Sequence, residues 1–178
     1  MVQQSILNYD EMDSPVGPLT LVRTKDGLCA VSYGRMEDIR PTLTNWAKRY
    51  FLRADFERNP GLLEKEKAAF VDYFEGSIRW FDIDLDLYGS PFQQKVWKAL
   101  LEVPYGETKS YKEIAEAINS PKAVRAVGGA VNRNPLAIII PCHRIIGSNG
   151  TLVGYNGGLE IKRKLLEHED ADVIRRIG

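Results

Sequence analysis

The sequence predicts an α+β protein: a small antiparallel β-sheet with helices in the N-terminal half, then a helix-turn-helix followed by a β-hairpin wing. Three observations predict it. Short apolar runs separated by turn residues fill the first third. Two Ser-x-x-Gln/Glu capping signatures open helices after residue 89. Between the apolar runs and these helices, Leu87-Tyr88-Gly89-Ser90-Pro91 reads as a linker, which divides the chain into an N-terminal α/β domain over 1–86 and a C-terminal domain over 87–178.

Residues 5–10, 19–24 and 28–34 are strand-like and are broken by Ser14-Pro15-Val16-Gly17-Pro18 and by Lys25-Asp26-Gly27, whose Asp-Gly pair is a strong hairpin signal. The apolar period predicts helices over 38–51 and 62–75, and residues 79–87 alternate like a strand. Ser90-Pro91-Phe92-Gln93 supplies a cap, a proline in the first turn and Gln three residues after the cap. Its helix carries Val96, Trp97, Leu100 and Leu101 on one face and ends before Pro104. Ser110-Tyr111-Lys112-Glu113 opens a second helix with Ile114, Ala115 and Ile118 inward, and Ser120-Pro121 opens a third that runs to about Val131. A short break at Asn119-Ser120 between two helices is helix-turn-helix spacing, although a plain helical bundle has the same pattern. An apolar strand over 136–140, a Gly147-Ser148-Asn149-Gly150 turn and a strand over 151–155 complete the expected wing.

Composition narrows the class. The 178 residues are 44% hydrophobic and 27% charged, which is globular and not disordered. The longest apolar run is far shorter than a membrane helix requires, and the first residues lack a signal-peptide pattern. Two widely separated cysteines make no disulfide scaffold, so a reducing, cytoplasmic setting is expected. Cys29, Cys142, His143 and His168 show no metal-ligand spacing, so no metal is expected. Net charge is zero, yet residues 1–85 carry 11 basic and 14 acidic side chains while 86–178 carry 13 and 10. The cationic stretch over 109–144 suits phosphate binding, and it equally suits an ordinary solvated surface. The third helix is nearly bare at Ala123, Ala126, Gly128, Gly129 and Ala130, with Arg125 among them. That smoothness fits close packing against another helix or close approach to a nucleic-acid groove.

The chemistry concentrates at Pro141-Cys142-His143-Arg144. A cysteine is nucleophilic as the thiolate and needs a base or a positive charge nearby. In an extended strand Cys142 and His143 point to opposite faces, so a turn or a bridging water is required to couple them. Cys29 has no such neighbours and reads as a small buried hydrophobe.

Pro141-Cys142-His143-Arg144-Ile145 resembles the active-site signature of the O6-alkylguanine-DNA alkyltransferases. Pro104-Tyr105-Gly106-Glu107-Thr108, Ser110-Tyr111, Arg125-Ala126-Val127-Gly128-Gly129-Ala130, Asn134-Pro135, Gly154-Tyr155-Asn156-Gly157-Gly158-Leu159 and Leu165-Leu166-Glu167-His168-Glu169 follow in the family's order and spacing. The match is close from about Pro91 to Glu169, and residues 1–85 agree in general layout. The resemblance implies a ribonuclease H-like layout for the N-terminal domain and a winged helix-turn-helix, both DNA-binding and catalytic, for the C-terminal one. It implies that Cys142 takes an alkyl group from a flipped-out guanine once per molecule, without a cofactor. His143 would act as base through a water, Glu169 would orient His143, Asn134 would hold the turn, and Tyr111 would donate toward the departing base. Arg125 would fill the vacated stack, and Tyr111, Lys122, Ala123, Ala126, Gly128 and Arg133 would meet double-stranded DNA through its minor groove. Ile145, Tyr155, Asn156 and Gly157 would line the substrate pocket, and the protein would act as a monomer away from membranes. Asn156 departs from the Ser or Ala more usual in the family. Two other readings use the same residues: a lesion-sensing binder without transfer, whose relatives carry Trp at the nucleophile position, and a winged-helix regulator.

Overall fold

Alternating apolar residues build the first sheet. A computed structural model describes residues 4–177, and the chain divides into two compact units, Met1–Tyr88 and Gly89–Gly178. In the first unit β1 (Ser5–Met12), β2 (Leu19–Arg23) and β3 (Leu28–Tyr33) pair antiparallel, in register from Asn8↔Arg23 to Met12↔Leu19 and from Leu19↔Tyr33 to Arg23↔Leu28. Gly17 lies at φ 98 and closes the first turn, and Thr24 N–H donates to the Gly27 carbonyl at 2.9 Å in the second.

A fourth strand, β4 (Ala54–Arg58), was not legible in the sequence. It lies parallel to β1 in the order β3-β2-β1-β4, so the sheet is mixed rather than antiparallel throughout. The strand expected over 79–87 does not form. That segment meets β3 at a single bridge, Leu28↔Leu85, through bonds from Leu28 N–H to Asp84 and from Asp86 N–H to Leu28. Gly27 permits the approach, since a Cβ there would lie 2.7 Å from the Asp84 carbonyl oxygen. Helix α1 (Met36–Ala47) buries Met36, Leu43 and Ala47 with Leu7, Val22, Cys29 and Ala30. It begins and ends earlier than the periodicity suggests. After a 3-10 turn (Pro60–Leu63), α2 (Glu64–Glu75) stops at Gly76, φ 81.

In the second unit α3 (Pro91–Leu101) and α4 (Tyr111–Ala117) each begin with the expected capping box, at Ser90 with Gln93 and at Ser110 with Glu113. Helix α3 buries Val96, Trp97 and Leu100, each worth about 1.5–3 kcal/mol or more, while Leu101 is exposed. Trp97 Nε1 donates to the Ala130 carbonyl at 2.9 Å and fastens α3 to α5 (Val124–Asn132). The α4–α5 break is longer than expected. Asn119 turns left-handed at φ 57, and Ala123 N–H bonds Ser120 O in a turn before α5 starts.

The wing's regular strands are absent. Residues 136–140 form a buried turn, not a strand, with Ile138 at φ 73 and the Ile140 N–H on the Leu136 carbonyl. Residues 151–155 carry no ladder either, because the 147–151 turn closes instead. The pairing that does form is parallel, β5 (Lys109–Ser110) with β6 (Ile145–Ile146). Helices α6 (Leu159–His168) and α7 (Asp172–Ile177) end the chain. Among the described residues no helix is long and apolar enough to cross a membrane, and no group of three or more His, Cys, Asp and Glu is placed to hold a metal ion.

Candidate active site

Because 136–140 is not extended, Cys142 does not stand at a strand end. Asn134 explains the fold of this stretch. Its Nδ2 donates to the carbonyls of Ile140 (2.8 Å) and Leu136 (3.3 Å) and to the Cys142 sulfur, and its Oδ1 accepts the Leu136 N–H at 2.8 Å. One side chain thus ties both ends of the apolar turn and touches Sγ. Cys142, His143 and Arg144 follow as a 3-10 turn, all buried.

The turn delivers His143 to Glu169. His143 Nε2 lies 2.7 Å from Glu169 Oε1, and both residues are almost wholly enclosed. His143 Nδ1 is buried with no hydrogen-bond partner among the described residues. Arg144 meets the same carboxylate through Nε and Nη2, each at 2.8 Å, donates from Nη1 to the Val103 carbonyl at 2.7 Å and stacks on Tyr105. The Gly106 N–H points at Glu169 Oε2 from 3.4 Å. Glu169 is therefore no solvated helix end but an anion receiving four donors.

The charges follow from the enclosure. Burial pushes the Cys142 thiol up to about 12, against smaller opposing effects of Asn134 and Lys162, so the resting sulfur is a thiol. Burial also pulls His143 below its ordinary value, with Glu169 opposing, so the resting ring is neutral. Burial works against the Glu169 carboxylate, but His143 and Arg144 outweigh it and hold it well below the usual range. A protonated nucleophile beside a neutral base, itself anchored by an anion, can ionise by passing its proton to His143.

Tyr111 begins α4, half-buried, and donates to the Val153 carbonyl at 3.2 Å. Burial, with Cys142 adding to it, raises its pKa, so the phenol keeps its proton. Its ring lies 3.9 Å from where a Gly128 Cβ would be, which leaves α5 and α4 in close contact. Ile145 is buried in β6, Tyr155 and Gly157 are partly buried, and Asn156 is exposed on the turn closed by Gly158 N–H to Tyr155 O. On α5 Arg125 and Ala126 are exposed, as are Lys122 before it and Arg133 at its end, while Ala123 is partly buried. Cys29 is buried, with its thiol also at about 12, and among the described residues no base is bonded to it.

One residue of the site was not singled out in the sequence, and Arg144 stands there in the Pro141–Arg144 motif without a role of its own. Lys162 sits three residues before Leu165, on the inward register of α6, whereas Leu159 at the helix start is half-exposed. An ammonium at an inward helical position was the available signal.

The sequence matches the family model described as 6-O-methylguanine DNA methyltransferase, ribonuclease-like domain, over residues 7–87, and that of the DNA binding domain of the same family over residues 91–171. It is 46% identical over 165 residues to a methylated-DNA–protein-cysteine methyltransferase of Mycobacterium bovis, covering 92% of this chain and 93% of that one. A protein of the same name from Methanosarcina barkeri is 45% identical over 162 residues, covering 91% and 96%. Among solved structures, Mycobacterium tuberculosis OGT in complex with DNA superposes with a TM-score of 0.78 at 40% identity, covering 96% of this chain and 99% of that one.

Proposed function

Since the chain belongs to the 6-O-methylguanine DNA methyltransferase family, we infer that it repairs DNA by moving an alkyl group from O6 of guanine onto one of its own cysteines. The acceptor is Cys142. The observation that carries this assignment is the turn that joins a sulfur held by Asn134 to a neutral His143 anchored on Glu169. The thiol proton passes through a water toward His143 Nδ1, the nitrogen that Glu169 leaves unused. The sulfur attacks the alkyl carbon and forms a C–S bond as the C–O6 bond breaks. The electron pair of that bond stays on the guanine, whose developing negative charge is met by a hydrogen bond from the Tyr111 hydroxyl, and the proton held by His143 balances it. A thioether is a poor leaving group, and no second thiol is adjacent in sequence, so each molecule reacts once.

The O6 substituent lies inside a stacked duplex, beyond reach of a buried sulfur, so the base must be extruded. Exposed Arg125 on the smooth face of α5 is suited to occupy the vacated stack from the minor groove, with Lys122 and Arg133 meeting phosphates. A monomer in the cytoplasm completes this reading, and its two free thiols suit a reducing compartment. The test is a pair of variants. Cys142→Ala should abolish transfer and retain affinity for duplex carrying O6-methylguanine, whereas Cys29→Ala should transfer normally. Transfer surviving in the first or lost in the second refutes the assignment.

A further inference from the structure

Lys162 is fully buried, a rarity for a charged side chain unless it is paired. Among the described residues no carboxylate pairs with it. Its Nζ donates instead to three carbonyls, those of Ile145, of Val153 (3.0 Å) and of Gly154 (3.2 Å), which uses every proton an ammonium carries. The three acceptors lie on two pieces of chain. Ile145 directly follows the Cys142–Arg144 turn, and Val153 and Gly154 lead into Tyr155, Asn156 and Gly157.

The second piece has little else to fix it. Among the described residues no backbone–backbone hydrogen bond involves Leu152, Val153 or Gly154. Gly154 is left-handed at φ 55, and a Cβ there would stand 3.7 Å from the Tyr111 hydroxyl. The Val153 carbonyl is shared, accepting both Lys162 and the Tyr111 hydroxyl. The ammonium therefore ties together the nucleophile turn, the segment opposite it and, through one shared carbonyl, the tyrosine.

We propose that Lys162 is a positioning residue of the transfer reaction, a three-carbonyl clamp that sets the spacing between the Val153–Gly157 segment and the turn carrying Cys142. The proposal rests on the reading of Cys142 as the alkyl acceptor. Misplacing reacting groups by about 1 Å can slow a reaction by about a hundredfold, so the clamp acts on the rate of chemistry. The titratable groups that face Lys162 are Cys142 and His143 directly and Tyr111 through Val153. A charge effect on the sulfur must therefore be separated from a positioning effect.

Single-turnover methyl transfer from O6-methylguanine duplex, measured over a range of protein concentrations, gives the maximal rate and the duplex affinity separately. Iodoacetamide labelling of the Cys142 peptide without DNA reports the thiol alone. Lys162→Met should lower the maximal rate by roughly ten- to a hundredfold while leaving duplex affinity unchanged and lowering iodoacetamide labelling by far less than the rate. Lys162→Gln keeps two N–H donors on a stem one atom shorter, so it should fall less, and it carries the same comparison if the Met variant does not fold. An equal maximal rate in Lys162→Met, or a parallel fall in iodoacetamide labelling, overturns the clamp. Wild-type protein that transfers no methyl refutes the functional reading itself, whereas an active wild type with an equally active Lys162→Met refutes the clamp alone.

Discussion

Replacing Arg144 by Met should both destabilise the protein and make His143 more basic. The guanidinium reaches Glu169 through two 2.8 Å bonds and Val103 through one of 2.7 Å, with Arg144 only 7% and Glu169 3% exposed. Removing one partner of a buried pair strands the other charge and costs about 3–5 kcal/mol. In a protein of this size each kcal/mol shifts Tm by about 2–4 °C, so the drop should be roughly 6–20 °C. Adding Glu169→Gln removes the stranded charge, and the double variant should lose less than the sum of the singles by about 1 kcal/mol or more. The second readout is a ring titration by NMR. The chain has only two histidines, so a His168→Gln variant assigns both signals. Burial pulls His143 down, Glu169 opposes it, and Arg144 adds to it. Without Arg144 the positive charge that opposes ring protonation is gone, and the ring pKa must rise. A stability loss under about 1 kcal/mol, additive variants, or an unmoved His143 would refute the reasoning.

Two further outcomes are expected. Arg125→Lys keeps the charge but loses the planar guanidinium, and Arg125→Ala loses both. Extrusion of a base costs a few kcal/mol, so repair of duplex should slow by roughly tenfold to a thousandfold while reaction with free O6-methylguanine base is nearly unchanged. If both rates fall together, Arg125 supports the fold instead. Stability should also respond to pH with a defined sign. Burial pulls Lys162 from 10.5 to about 8, so between these values the unfolded chain holds a proton that the folded one has lost. Lys162 should thus add roughly 3 kcal/mol across that window, opposed above about pH 9 by the raised thiols of Cys29 and Cys142, so the test is the difference between wild type and Lys162→Met in urea denaturation, which should grow with pH. At the acid end Glu169 contributes fully above its ordinary 4.5, and that contribution is lost as pH falls below it, a limb that Glu169→Gln should weaken.

What could be read from sequence was what local chemistry decides. Both capping boxes form as written, because a serine and the side chain three residues on satisfy each other without tertiary help. The Asp-Gly turn between β2 and β3 is local in the same way. Strand β4 was invisible because Ala54–Arg58 is polar and pairs with β1 from across the chain. The run at 136–140 misled for the opposite reason. Its apolarity reports burial, which it has, while its shape is set by the Asn134 side chain and by Ile138 at positive φ. Cys142 and His143 were legible as a pair, but the turn that separates their roles was not. Glu169 read alone is an ordinary charged helix end. Only the folded chain shows it shared by His143, Arg144 and the Gly106 N–H.

The central claim is that Cys142 itself becomes the alkyl carrier. Intact mass followed by peptide mapping, after incubation with excess O6-methylguanine duplex, tests it most directly. One methyl group per chain, found on the peptide bearing Cys142 and absent from the one bearing Cys29, is the predicted result. A protein that gains no mass, gains it on Cys29, or keeps clearing methylated duplex beyond one equivalent contradicts the account.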